Sequence, residues 1–158
     1  MSAGERLVRE LLEQPEPAVF AARVSEATDE ELAQGMRSDR GSDLVREIFN
    51  RMPSYLDRER AADVSGVVHW RVGDPSNWLA GYEVVLERGE CSVGETLDRE
   101  PTVSFEIEPV ALLKLVAGSA TGMDLMLARR LVVRGDVSFA MLTERLFTIG
   151  EEQSPEEA

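Results

Sequence analysis

The chain has 158 residues, 43% apolar and 30% charged, which suits one globular domain with one core. Thirty acidic against 17 basic side chains give a formal charge of −13, so long-range repulsion argues against nucleic acid as a partner and against tight docking on an anionic membrane. The single cysteine, Cys91, excludes an internal disulfide framework, and no apolar run reaches the roughly 18–20 residues needed to cross a bilayer.

The first 57 residues read as helical. Leu7, Leu11 and Leu12 form the apolar stripe of a first helix, ended by Pro15 and Pro17. Val19, Phe20 and Val24 belong to a short second helix. Thr28 and Glu31 have the spacing of a capping box, which predicts a third helix closed by Gly35 or Gly41. Ser42 or Asp43 then caps a stronger helix that places Leu44, Val45, Ile48, Phe49 and Met52 on one side, interrupted by Pro53.

At Val64 the period changes to alternation. Val68, Trp70 and Val72 share one face, opposite Val67, His69 and Arg71. A turn at Gly73-Asp74-Pro75-Ser76-Asn77 leads into a second strand, in which Trp78, Ala80, Tyr82, Val84 and Leu86 share a face. Gly89 opens a short third strand with Cys91 and Val93, and Val103, Phe105 and Ile107 alternate in a fourth. Short connections make these strands mostly antiparallel. Pro109 starts a helix that Gly118 ends, and Thr121 caps the next. Leu131 to Arg134 form a fifth strand, Gly135 turns, and Asp136 caps a last helix carrying Phe139, Ala140, Leu142, Leu146 and Phe147. The pattern is thus α+β: a five-stranded sheet covered by helices, an N-terminal helical extension over residues 1–41, a domain over 42–148 and an acidic, disordered tail over 149–158.

From Ile48 to Phe147 the ordered features resemble the sterol carrier protein type-2 family. They are Ile48-Phe49-Asn50-Arg51-Met52-Pro53, Gly66-Val67-Val68-His69-Trp70, Tyr82 to Gly89, Pro101 to Ile107, Val110 to Gly118, and Leu131-Val132-Val133-Arg134-Gly135-Asp136. The resemblance implies an internal apolar tunnel for sterols, fatty acids or acyl-CoA-like molecules. Two departures stand out. Where the family usually has a glycine before its last strand, this chain has Arg129 or Arg130, and residues 1–41 match no part of the domain.

The residues themselves point to the same third of the chain. The helix from Pro109 to Ala117 carries Leu112, Leu113, Leu115 and Val116, more than the single stripe a helix on a sheet requires. It either lies between the sheet and another helix or lines a cavity. Met123 and Met126 mould to irregular apolar shapes, in a core or in a pocket. The expected lining is therefore Leu112, Leu113 and Val116 from the first of these helices, Met123, Met126 and Leu127 from the second, and Phe139 and Leu142 from the last. Ala117 to Gly122, with two glycines, is the expected hinge for release.

Candidates for catalysis are poor. His69 is the sole histidine and a lone strand histidine is usually structural; Cys91 has no Cys-x-x-Cys partner; Gly118 to Gly122 is not followed by Lys-Ser/Thr and is no phosphate loop. The expectation is a cytoplasmic protein without signal peptide, catalytic residues, metal or cofactor. It binds and transfers a lipid-like small molecule, contacts no nucleic acid, does not insert stably in membranes, and can form a homodimer. The alternative is an interaction or dimerisation module on the same fold.

Overall fold

The N-terminal helices follow from local chemistry. In the computed structural model, which describes residues 2–147, α1 (Ala3–Glu13) is capped by the Ser2 hydroxyl, which accepts from the Glu5 amide at 3.1 Å. It buries Leu7, Val8 and Leu11. After Pro15 and Pro17 the chain forms α2 (Pro17–Glu26), then α3 (Asp29–Arg37), whose capping box between Thr28 and Glu31 is present. Neither expected glycine ends α3. It stops at Ser38, whose hydroxyl donates to the Gly35 carbonyl. Gly35 lies inside the helix because α1 crosses there: a Cβ on Gly4 would sit 2.6 Å from the Gly35 nitrogen, and one on Gly35 would strike the Gly4 carbonyl. Helix α4 (Arg40–Arg51) also starts earlier than expected, from Asp39, so Ser42 and Asp43 are within it. A 3₁₀ turn (Met52–Tyr55) accommodates Pro53. A one-turn helix that the pattern did not reveal, α5 (Arg58–Ala61), is capped by the Asp57 carboxylate accepting from the Arg60 amide.

Five strands follow: β1 (Ser65–Asp74), β2 (Asn77–Glu87), β3 (Glu90–Gly94), β4 (Val103–Ile107) and, after two helices, β5 (Leu131–Gly135). The helices α6 (Pro109–Val116) and α7 (Gly122–Leu127) precede β5, and α8 (Val137–Leu146) follows it. The spatial order is β3-β2-β1-β4-β5. The sheet is mostly antiparallel, as expected, but β1 and β4 pair in parallel, with Trp70 opposite Phe105. The cause is residues 95–102, which carry the chain from one edge over the sheet to the far side of β1.

That crossover is fastened by a buried carboxylate. Glu83 accepts from the Arg99 amide at 2.7 Å and from the Arg99 guanidinium at 2.8 Å, and meets His69 Nε2 at 3.0 Å. These contacts, the Arg99 amide foremost, hold the Glu83 carboxyl down to about 2 although burial opposes them. Thr102 continues the fastening: its amide donates to the Val67 carbonyl at 2.8 Å, and its hydroxyl accepts from the Val67 amide. His69 is therefore part of a structural network.

The inner face of the sheet carries the core. Phe49 from α4 stacks on Tyr82 with centroids 4.3 Å apart and meets Trp70 edge-on, while Trp70 packs on Phe105 at 4.4 Å. Trp78 is only half-buried. Cys91 is half-buried on β3, and burial pushes its thiol up to about 11, so it is a packed side chain rather than a nucleophile. Helices α2 and α3 pack on α6 from outside the sheet. Asp29 pairs with Lys114, which holds its carboxyl below the usual range, and Ser25 bonds to Ser119 at 2.8 Å. Helix α6 thus lies between other helices and the sheet.

Candidate functional site

The cavity exists because two helices stand off from the sheet. Pro109 opens α6 at its first turn, and Gly118 at φ +76° ends it, reversing the chain into the loop that leads to α7. On the other side Asp136 caps α8 by accepting from the Phe139 amide at 3.0 Å. Gly66 on β1 leaves room for the Phe139 ring, which would clash with any Cβ there. Phe139 therefore wedges the start of α8 against the sheet.

Between these helices lies a cavity of about 550 Å³. Its floor is Trp70 of β1, Phe105 of β4 and Leu131 of β5. Leu112, Leu115 and Val116 form the α6 wall; Ala140, Thr143 and Glu144 form the α8 wall. Met52, Phe147 and the loop from Ala117 to Gly122 complete it. The size falls in the range of roughly 300–1,000 Å³ typical of small-molecule pockets. The polar groups here already have protein partners. The Thr143 hydroxyl donates to the Phe139 carbonyl at 2.9 Å, and the Glu144 carboxylate accepts from the Gly122 amide at 3.1 and 3.2 Å. Thr121 caps α7 in a second capping box with Asp124. A second cavity of about 210 Å³ shares Phe105, Leu131, Ala140 and Glu144 with the first and extends to α7.

The structure distributes the expected lining residues unevenly. Leu112 and Val116 line the larger cavity, and Met123 and Met126 line the smaller. Leu113 is fully buried in the core and lines neither cavity. Leu127 is 78% exposed, and Phe139 and Leu142 pack against the core outside both linings. The strand residues Trp70, Phe105 and Leu131, with Met52 and with Ala140, Thr143 and Glu144 of α8, are among the contributors that the sequence does not assign. Alternation places Trp70 and Phe105 inward, but an inward strand residue that faces a helix and one that faces a gap have the same pattern.

The fold of this chain is matched by known proteins. The sequence profile of the SCP-2 sterol transfer family covers residues 45–148, well over half of the chain. The chain belongs to the SCP-2 sterol transfer family. No curated protein sequence matches it. Among solved structures, sterol carrier protein 2 from Yarrowia lipolytica in its apo form shares 19% identity over 71% of this chain and 90% of that one, with a TM-score of 0.50. Palmitated SCP2L2 from Aedes aegypti shares 16% identity over 69% of this chain and 95% of that one, with a TM-score of 0.51. The stereoselective inverting sec-alkylsulfatase Pisa1 from Pseudomonas sp. shares 15% identity over 69% of this chain, with a TM-score of 0.58, but the match spans only 16% of the sulfatase. At these identities the likeness is one of fold. Family membership points to lipid binding and transfer in general. Among the described residues no helix is long and apolar enough to cross a membrane, and no group of three or more His, Cys, Asp or Glu side chains is placed to hold a metal ion.

Proposed function

We propose that the chain binds a lipid-like molecule with an acyl- or sterol-sized apolar body in the larger cavity and carries it without chemical change. The carrying observation is the chamber of about 550 Å³ walled by Trp70, Phe105, Leu112 and Val116. Each methylene moved from water into such a site contributes about 0.8 kcal/mol, so ten give roughly 8 kcal/mol before ordering costs. That supports micromolar binding at best. Among the described residues no lysine or arginine lines this cavity, and Glu144 stands in its α8 wall, so recognition rests on the apolar body rather than on an anionic head. The palmitate carried by the Aedes aegypti protein shows that a relative of this fold holds an acyl chain. Of the residues expected as lining, Leu112 and Val116 are the contacts for this body, and Met123 and Met126 those nearer the exit. The loop from Ala117 to Gly122 is the part that opens. Residues 42–148 form the binding unit, and residues 1–41 are an extension that backs α6. The lone Cys91 fits a cytoplasmic carrier.

The test is titration of the full chain, with Trp78→Phe to isolate Trp70, against a long-chain fatty acid, the matching alcohol and a sterol. Saturable change in Trp70 fluorescence at micromolar ligand is the expected outcome. Flat titrations with all three, together with no lipid retained in native mass spectrometry, overturn the reading.

A further inference from the structure

The segment from Glu108 to Arg130 carries α6, the loop and α7, and its first helix and loop form one wall of the larger chamber. Its base is closed on itself: the Glu108 amide donates to the Arg130 carbonyl at 3.3 Å, and the two side chains pair. The loop depends on Lys114, whose carbonyl accepts from the Ser119 amide at 2.9 Å and the Ala120 amide at 3.3 Å. Gly118 between them has open space where a side chain would be. At the far end of the loop the Gly122 amide donates to Glu144 of α8.

Two side chains tie this segment from outside to helices that the family profile, which begins at residue 45, does not cover. The Asp29 carboxylate at the start of α3 pairs with Lys114 and lies 3.9 Å from the Arg130 guanidinium. One residue thus touches both the support of the loop and the base of the segment. Ser25 of α2 bonds to Ser119 in the loop itself at 2.8 Å. The N-terminal helices are firmly seated elsewhere. Helices α1 and α3 meet backbone to backbone at Gly4 and Gly35, and Arg51 of α4 donates to the carbonyls of Gln14 at 2.7 Å and Leu12 at 3.3 Å. The ties to the wall are of a different kind. Asp29, Ser25 and Ser119 are all exposed, and exposed polar contacts are individually weak and exchange readily for water. Firm seating on one side and weak ties on the other are what a reversible latch requires.

We propose that Asp29 and Ser25 are positioning residues that hold the wall and loop of the chamber closed, so that the N-terminal helices set how fast a ligand exchanges rather than how tightly it is bound. Neither side chain lines the chamber, so the ties are the same in the empty and the loaded closed state. A contact of equal energy in both states cancels from the dissociation constant. It remains in the opening equilibrium, through which entry and exit both pass, so loosening it speeds both alike. The inference rests on the carrier reading for what passes through the opening, but the opening itself is measured on the empty protein.

The experiment is amide hydrogen exchange of the full chain without ligand, comparing wild type with Ser25→Ala combined with Asp29→Asn. The expected result is exchange accelerated about fivefold at Ser119, Ala120 and Gly122, with the β1 amides unchanged. Lys114→Gln removes the ion pair from the other side, so it accelerates exchange by itself and adds little once Asp29→Asn is in place. Glu30, next to Asp29 and exposed, makes no ion pair among the described residues, so Glu30→Gln takes the same charge from α3 and leaves the rates as in wild type. With a long-chain alcohol as probe, Trp70 fluorescence in the Trp78→Phe background should show association and dissociation both about fivefold faster in the double variant, with Kd kept within about twofold. Circular dichroism melting checks that the variants are folded. Three results overturn the inference: loop exchange unchanged in the folded double variant and in Lys114→Gln, equal acceleration by Glu30→Gln, or a shifted Kd with unchanged rates. Faster loop exchange without saturable binding of any lipid removes the carrier reading and leaves the latch standing.

Discussion

Two side chains carry local conformational or electrostatic stress that can be measured one residue at a time. Glu83 is ionised far into acid because the Arg99 amide, His69 and the Arg99 guanidinium all favour its charged form. Its folded pKa of about 2 lies below the ordinary 4.5, so its contribution to stability is fully present above about pH 4.5. It is lost as pH falls from there through about 2. Glu83→Gln should therefore lower the urea midpoint most at neutral pH, and the gap from wild type should close as pH approaches 2. A gap independent of pH would contradict the assigned network. Arg129 is the second case. It sits at φ +62°, in the left-handed region that favours glycine, and precedes β5. The left-handed conformation costs an L residue roughly 1–2 kcal/mol, part of which glycine returns as greater freedom when unfolded. Arg129→Gly should raise stability by about 0.5–1 kcal/mol in denaturant melts.

At the level of elements, packing distance decides the outcome. Helices α1 and α3 touch backbone to backbone at Gly4 and Gly35, where an added methyl has no room. Gly35→Ala should cost roughly 1–3 kcal/mol, despite alanine's better helix propensity, and should loosen α1 to proteolysis before the sheet unfolds. The opposite holds where the helices stand off. Ala140 on α8 is part of both cavity linings. Ala140→Phe should fill the chamber, leave the melting temperature equal or higher, and abolish ligand-dependent Trp70 fluorescence. If binding survives the substitution, the ligand sits elsewhere. The contrast explains how far sequence patterns reach. The Thr28 capping box and the hydrophobic stripe of α1 are local, so they were legible. Gly35 and Gly41 both stand as candidate helix stops because in sequence a packing glycine and a terminating glycine look alike.

For the whole molecule, the N-terminal helices and the family domain share one core, with α2 and α3 against α6 and the Asp29–Lys114 pair between them. Removing residues 1–37 strips cover from the outer side of α6. The expected outcome is a lower melting temperature and self-association in sedimentation, and an equally stable monomer would show that the extension is dispensable. The order of helices and strands, the antiparallel bias of the sheet and the family were readable along the chain, because capping, alternation and turn chemistry involve residues within a few positions of each other. The parallel pairing of β1 with β4 was not, since it depends on residues 95–102 crossing the sheet to reach Glu83. The lining of the chamber was only half readable for a similar reason. An apolar stripe states that a side chain leaves water, as Leu112 and Leu113 both do, but whether it then meets another side chain or an empty volume is set by how far distant elements are held apart.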